Sequence, residues 1–371
     1  MRAPQIRTIA IAAGGTGGHF FPAEALATEL ARRGQRIALL TDARSGGLQS
    51  PVFEGRERFV LRGAGIAGRG LVRGARAAAA LALGTLQARR VLADLNAGVL
   101  VGFGGYPSVA PVLATRLLRH RPAVILHEQN AVLGRANRML ARHADLLALS
   151  HDATARVPHG TRTRVTGNPV RAAIASLAGA PYAPPTAEIR LLVLGGSLGA
   201  RVLSDVVPEA VAAVAPALRA RIAVTQQCRA EDIDRVRAAY GASGVPADLA
   251  PFFPDVATRL ASAHLVIARA GASTVAELAV VGRPAILVPL PHAIDDHQSA
   301  NARALAEAGA AWMMPQPAFT PGALAQRLER LLGDPALLAD AAARATTCGH
   351  AGAAVRLADA VEDMMTQERA A

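Results

Sequence analysis

The run TIAIAAGGTGGH, residues 8–19, decides the fold. Its apolar start has no polar alternation, as expected of a parallel strand covered on both faces. The glycines that follow read as a tight turn into a helix. Helical spacing then runs from Ala23 to Arg33 and stops at Gly34, and residues 37–41 make the next strand. Further short apolar strands are expected at 99–101 and 123–126. The pattern restarts with IRLLVLGGSLGA at 189–200, where Gly195 lies 181 residues beyond Gly14, close to half of the 371-residue chain. Strands are expected again near 222–225, 265–268 and 285–288, and the stretch 335–369 is helical by alanine content and spacing. These signals predict an α/β chain of two Rossmann-like doubly wound domains with an interdomain cleft. The break falls among the glycine and prolines of 165–185, and ligands belong beyond the carboxyl ends of the strands.

Composition narrows the partners. The chain is 51% hydrophobic and 18% charged, which excludes a disordered or fibrous protein. At 3% aromatic residues and with no basic run, it is poorly supplied for stacking on bases, so nucleic acid is not an expected partner. All 40 basic residues are arginine; the net charge of +12 favours phosphates or an acidic membrane surface. Without lysine there is no Walker-type phosphate lysine, Schiff base or lysine general base. Cys228 and Cys348 form no metal-type pair and are expected to be buried thiols in a reducing compartment. No secretory signal is recognised, and the uncharged stretch 95–115 is too broken by Gly and Pro to span a membrane.

Candidate chemistry sits where strands end. In the first loop, Gly14, Gly15, Thr16, Gly17 and Gly18 suit a diphosphate, through close backbone approach and a helix N-terminus. A dinucleotide fingerprint fails here, because its third glycine position is Phe20. Asp42 suits either a ribose hydroxyl or a turn cap. His19 ends the loop at a helix start, a setting that favours a neutral imidazole base. The second loop repeats the cradle and adds the Ser197 hydroxyl, and Arg171, after Asn168-Pro169-Val170, suits a phosphate clamp. Glu277 opens a helix after the strand at 265–268; it fits a ribose diol or, equally, the helix dipole. His292, Asp295, Asp296 and His297 have metal-ligand side chains, but neighbouring Gln298 and Asn301 point to sugar recognition, and no metal is expected. His127, Glu128, Gln129 and Asn130 end a strand and suit binding of the first domain's substrate. Arg69, Arg73 and Arg76 at helical spacing, followed by the apolar stretch from Ala77 to Leu86, suit an anionic membrane surface or a solvated helix.

Together these stretches resemble one family. GGTGGHFFPA at 14–23, GFGGYPS at 102–108, HEQNAVLGRAN at 127–137, VTGNPVR at 165–171, GGSLGAR at 195–201, ARAGASTVAEL at 268–278 and DDHQSANA at 295–302 are in the family's order. The family is the bacterial N-acetylglucosaminyltransferases that transfer GlcNAc from UDP-GlcNAc to undecaprenyl-pyrophosphoryl-N-acetylmuramyl-pentapeptide, converting lipid I to lipid II for peptidoglycan. The resemblance implies an inverting, cofactor-free enzyme of the glycosyltransferase B-type fold, peripheral on the cytoplasmic face of the inner membrane. It implies an acceptor and membrane-facing domain at 1–167, a UDP-sugar domain at 168–340, and a helix at 341–371 crossing back to the first domain. Glu277 would hold the ribose, Ser197 and Arg171 the phosphates, Gln298 the sugar hydroxyls, and the backbone near Phe253 the uracil. Ala272, Ser273 and Thr274, with Thr16, Gly17, Gly18 and Asn130, complete the implied donor contacts. The acceptor pyrophosphate would lie near residues 14–18, with Tyr106, Glu128 and Asn130 beside it, and His19, or else Glu128, as the base. This chain has Leu198 and Ser204 where the family often has glutamine and asparagine, and His297 before Gln298 where two glutamines are usual. The alternatives are a UDP-GlcNAc 2-epimerase-like enzyme and a non-catalytic nucleotide-binding module.

Overall fold

The structure, a computed structural model, describes residues 7–15, 17–43, 50–62, 71–196 and 199–370. It divides into two compact units, Met1–Arg171 with Gly352–Ala371, and Ala172–Ala351.

The first unit runs β1 (Thr8–Ala12), α1 (Gly17–Arg32), β2 (Ile37–Thr41), β3 (Arg58–Val60), α2 (Leu71–Asp94), β4 (Ala97–Gly102), α3 (Val109–Thr115), β5 (Ala123–Glu128), α4 (Arg135–Leu140), β6 (Leu146–Leu149) and β7 (Thr163–Val165). Its seven strands lie in the order β3-β2-β1-β4-β5-β6-β7, and every neighbouring pair is parallel. β1 is buried along its whole length. Successive side chains of a strand point to opposite faces. Ile9 and Ile11 therefore join the core formed with α1 and the C-terminal helix, while Ala10 and Ala12 face the core that holds Ala88 and Leu92 of α2 and Val109 and Val112 of α3.

The second unit runs α5 (Ala172–Ala175), β8 (Ile189–Leu194), α6 (Arg201–Ala213), α7 (Pro216–Arg219), β9 (Ile222–Gln227), α8 (Ile233–Ala242), β10 (Ala247–Ala250), α9 (Val256–Ser262), β11 (Leu265–Ala268), α10 (Ala272–Val281), β12 (Ala285–Leu287), α11 (His297–Glu307), β13 (Ala311–Met313), α12 (Pro321–Leu332) and α13 (Pro335–Cys348). Its sheet is also parallel, in the order β10-β9-β8-β11-β12-β13. Read from the first strand of each unit, both orders are the doubly wound one.

The C-terminal stretch is two helices, not one. α13 stays in the second unit, packed on α10 and α12, and α14 (Ala353–Ala370) packs on α1, β4 and β5. Arg33 fixes α14 with ion pairs to Asp359 at 2.7 Å and Glu362 at 2.6 Å. Residues 349–352 separate the two helices. A side chain at Gly349 would meet the Ala279 carbonyl oxygen at 2.7 Å, so only glycine lets α13 end against α10. Cys228 is buried as expected, but Cys348, at the end of α13, is half-buried.

Candidate functional site

In each sheet the strand order reverses beside the first strand, between β1 and β4 in one unit and between β8 and β11 in the other. The loops leaving these strands splay apart there, which is where open α/β sheets bind ligands. The candidate residues collect at these two points.

In the first unit the loop after β1 turns through Gly15, at φ 83°, into α1. Thr16 lies outside the described residues. The helix starts at Gly17, so His19 is inside its first turn and not ahead of it. A side chain at Gly17 would meet the Phe21 ring at 2.8 Å. β4 delivers Gly104 and Gly105, at φ 78° and 63°, and then Tyr106. A side chain at Gly105 would sit 3.3 Å from the His19 ring, so the glycine leaves that ring its place.

β5 extends two residues further than its apolar run, so His127 and Glu128 belong to the strand. The Glu128 carboxylate is 2% exposed and fully engaged. Its Oε1 accepts from the Asn130 backbone N at 3.0 Å and Asn130 Nδ2 at 2.9 Å. Its Oε2 accepts from the Gly134 N and from Asn137 Nδ2, both at 2.9 Å. Glu128 thus organises the turn from β5 to α4, and no oxygen is left over to take a proton from a substrate.

His19 touches this strand end through Gln129. Its Nδ1 lies 3.0 Å from Gln129 Oε1. Gln129 Nε2 donates to the Phe103 carbonyl at 3.0 Å and lies 3.0 Å from His127 Nδ1. His127 Nε2 donates to the Gly167 carbonyl at 3.0 Å. Burial lowers the His127 pKa to about 4, so the ring is neutral at neutral pH. Arg171, expected as a phosphate clamp, has its guanidinium 5.1 Å from the centre of the Phe21 ring.

In the second unit the loop after β8 holds Gly195, Gly196 and Gly199, the last two at φ 80° and 66°. Ser197 and Leu198 lie outside the described residues. A side chain at Gly195 would meet the Ala200 nitrogen at 2.6 Å, so the turn requires glycine there. Gln227 braces it, accepting from Gly195 N at 3.1 Å and donating to Gly196 O at 3.2 Å. α10 begins after Gly271 with no side-chain cap, whereas Thr320 and Asp334 cap α12 and α13. Ala272, Ser273 and Thr274 form its first turn, where backbone N–H groups point outward along the axis. Glu277, one turn on, is buried at 8% exposure. The Phe253 side chain is buried, with the Arg259 guanidinium 4.0 Å from its ring centre. Gln298 is in the first turn of α11, and its Oε1 accepts from Leu290 N at 2.9 Å. The loop before it carries His292, Asp295 and Asp296 at φ 62°, 56° and 54°, a concentration of left-handed non-glycine residues typical of functional loops. Among the described residues no group of three or more His, Cys, Asp or Glu is placed to hold a metal.

Sequence reasoning singled out Gln129 and Asn137 only as parts of motifs, and it missed the bracing role of Gln227. Their functions depend on which strands become neighbours.

With this geometry in hand, the chain is a nucleotide-sugar-type glycosyltransferase in class. The glycosyltransferase family 28 N-terminal domain model matches residues 9–148, and the family 28 C-terminal domain model matches residues 190–361. The chain belongs to glycosyltransferase family 28. It is similar to UDP-N-acetylglucosamine–N-acetylmuramyl-(pentapeptide) pyrophosphoryl-undecaprenol N-acetylglucosamine transferases. That of Granulibacter bethesdensis is 65% identical over 366 residues, 98% of this chain and 95% of the relative. That of Gluconobacter oxydans is 52% identical over 361 residues, 97% of this chain and 99% of the relative. A crystal structure of MurG from Acinetobacter baumannii matches with a TM-score of 0.78 at 30% identity, covering 96% of this chain and 99% of that one. A structure titled as a UDP-N-acetylglucosamine 2-epimerase from Listeria monocytogenes matches with a TM-score of 0.66 at 16% identity, covering 98% of each chain, a likeness of fold alone.

Proposed function

We propose that this glycosyltransferase moves N-acetylglucosamine from UDP-GlcNAc to the C4 hydroxyl of undecaprenyl-pyrophosphoryl-N-acetylmuramyl-pentapeptide, with inversion at the anomeric carbon. The match to relatives named for this transfer, which runs through both units, carries the reading. The acceptor oxygen attacks the anomeric carbon and the bond to UDP breaks. The hydroxyl proton goes to His19, and the bonding electrons leave with the diphosphate. What supports His19 as the base is its helical first-turn position beside the glycine loop and the engagement of the rival Glu128 by four donors. In the second unit, the glycine turn after β8 and the α10 N-terminus, with Ala272, Ser273 and Thr274, supply N–H groups suited to the leaving diphosphate, and the Ser197 hydroxyl is the further donor expected from the sequence. Arg171 adds its charge. Glu277 holds the ribose, Gln298 the sugar and the backbone at Phe253 the base.

The membrane-facing surface belongs to the first unit. On α2, Arg76, Leu83, Leu86 and Arg90 recur at spacings of seven, three and four, which puts them on one face. All four are exposed, Leu83 at 52% and Leu86 at 53%. Arg69 lies outside the described residues, and Arg73 is in the first turn of α2. Among the described residues no helix is long and apolar enough to cross a membrane. An exposed apolar pair flanked by arginines suits peripheral contact with an anionic bilayer.

The test is incubation with labelled UDP-GlcNAc, with and without a lipid I analogue. Transfer that requires the acceptor is expected; turnover without it would favour the epimerase-like alternative, and none at all would overturn the reading. His19→Ala should lower kcat by about 10²- to 10⁴-fold while UDP-GlcNAc affinity stays within a few-fold.

A further inference from the structure

We infer that Gln129 is a positioning residue that holds the neutral His19 ring as its Nδ1–H tautomer, so that Nε2 carries the lone pair that accepts the substrate proton. The inference rests on the reading of His19 as the base, and it gives Gln129, read from the sequence only as one of four polar residues suited to substrate binding, a role of its own.

Some groups around Gln129 have no choice of role. A carbonyl oxygen can only accept, so His127 Nε2, 3.0 Å from the Gly167 oxygen, carries a hydrogen. A neutral imidazole has one N–H, so His127 Nδ1 is an acceptor. The group facing it is Gln129 Nε2 at 3.0 Å, which also faces the carbonyl oxygens of Phe103 at 3.0 Å and His127 at 3.2 Å. Three acceptors around one end of the amide require its NH2 there. The amide oxygen must then be the other end, and that end faces His19 Nδ1 at 3.0 Å. An amide oxygen accepts, so His19 Nδ1 donates and Nε2 is left unprotonated.

The direction matters because a free neutral histidine side chain favours the other tautomer, with hydrogen on Nε2. Left alone, the ring would present a hydrogen and not a lone pair at Nε2, and a base in the wrong tautomer is inert until it rearranges. Gln129 is 1% exposed and His127 fully buried, so water cannot replace the bond without opening the strand end. His127 in turn fixes the amide; its low basicity, caused by burial, keeps Nδ1 an acceptor at neutral pH. Gly105 completes the arrangement by leaving room for the ring edge that bears Nε2.

The test reads the tautomer directly. Long-range proton–nitrogen NMR on protein labelled in its ten histidines resolves which nitrogen of each ring is protonated, and loss of a signal set in His19→Gln assigns His19. The wild type is expected to show His19 with hydrogen on Nδ1. Gln129→Met, close in size and without an acceptor, should move the hydrogen to Nε2. It should also lower kcat by roughly 10- to 100-fold, within the contribution of a general base, with the KM for UDP-GlcNAc within about threefold. A wild-type spectrum with hydrogen on Nε2 overturns the inference without any variant. So does an unchanged tautomer or an unchanged kcat in Gln129→Met. If His19→Ala is impaired while Gln129→Met is not, this inference alone falls. If His19→Ala keeps full rate, the assignment of His19 as base falls with it.

Discussion

Replacing Glu128 with glutamine should unfold the strand end before it touches the chemistry. The carboxylate offers only acceptors, and it receives two donors on each oxygen, all between 2.9 and 3.0 Å. Glutamine turns one oxygen into an NH2 group. Whichever end it occupies, two N–H groups then face another donor inside a site that is 2% exposed. Each hydrogen bond to a charged group is worth about 1.5–3 kcal/mol, so losing two costs roughly 3–6 kcal/mol. At about 2–4 °C per kcal/mol for a unit of this size, the melting temperature should fall by roughly 6–24 °C. Thermal unfolding of Glu128→Gln followed by circular dichroism measures the shift. UDP-GlcNAc titration of the same sample, below its transition, should give near wild-type affinity, because Glu128 sits in the first unit. A general base at this position behaves in the opposite way: the isosteric amide leaves stability intact and abolishes kcat. A Glu128→Gln protein that melts with the wild type yet turns over 100-fold more slowly would refute the structural role and return Glu128 to candidacy as the base.

The remaining outcomes are more direct. Glu277→Ala should weaken UDP-GlcNAc binding by roughly 10- to 150-fold, the value of one charge-assisted contact, and a donor analogue lacking both ribose hydroxyls should bind wild type and variant alike; a variant that still discriminates against the analogue excludes contact with the diol. Charge reversal at Arg69, Arg73 and Arg76 should reduce sedimentation with anionic vesicles, at about 1 kcal/mol per residue, without loss of activity on a water-soluble acceptor analogue; unchanged sedimentation favours a solvated helix. His127 titrates at about 4 in the folded chain against an ordinary value of 6.5, so the unfolded chain binds the extra proton between these limits. Stability should therefore fall as pH drops from about 6.5 to 4, by about 3 kcal/mol from this residue, and His264, lowered in the same way, adds to the slope. Urea unfolding across that window should show the fall, and a shallower slope in His127→Asn is required.

The parts of the fold that were legible in the sequence share one physical property. β1, β2, β8 and β11 are interior strands of parallel sheets, apolar on both faces, and such strands are continuous runs that need no partner to be seen. β3, β7 and β10 are edge strands with partly or fully exposed residues, and RFV, TRV and ADLA carry no such signal. The break between α13 and α14 was hidden by alanine on both sides, although Gly349 and Gly352 marked it. The glycine turns could be located because strand-then-glycine is a local pattern. What they brace against could not: Gly105 matters because β4 lies beside β1, and Gln227 because β9 lies beside β8.

The same distinction separates the two candidate bases. In the sequence, His19 is the first candidate, at the end of a glycine loop where a helix starts, and Glu128 is the alternative, at the end of an apolar strand. Local pattern ranks them but does not decide between them. They are divided by the number of donors and acceptors that neighbouring strands bring to each. Glu128 meets four donors and has no capacity left. His19 has one nitrogen committed to Gln129, and its ring remains partly exposed. A general base must be held in place by one side and vacant on the other, and a histidine ring has two separate nitrogens for those two tasks. A carboxylate whose lone pairs are all engaged by its own turn can only hold the turn.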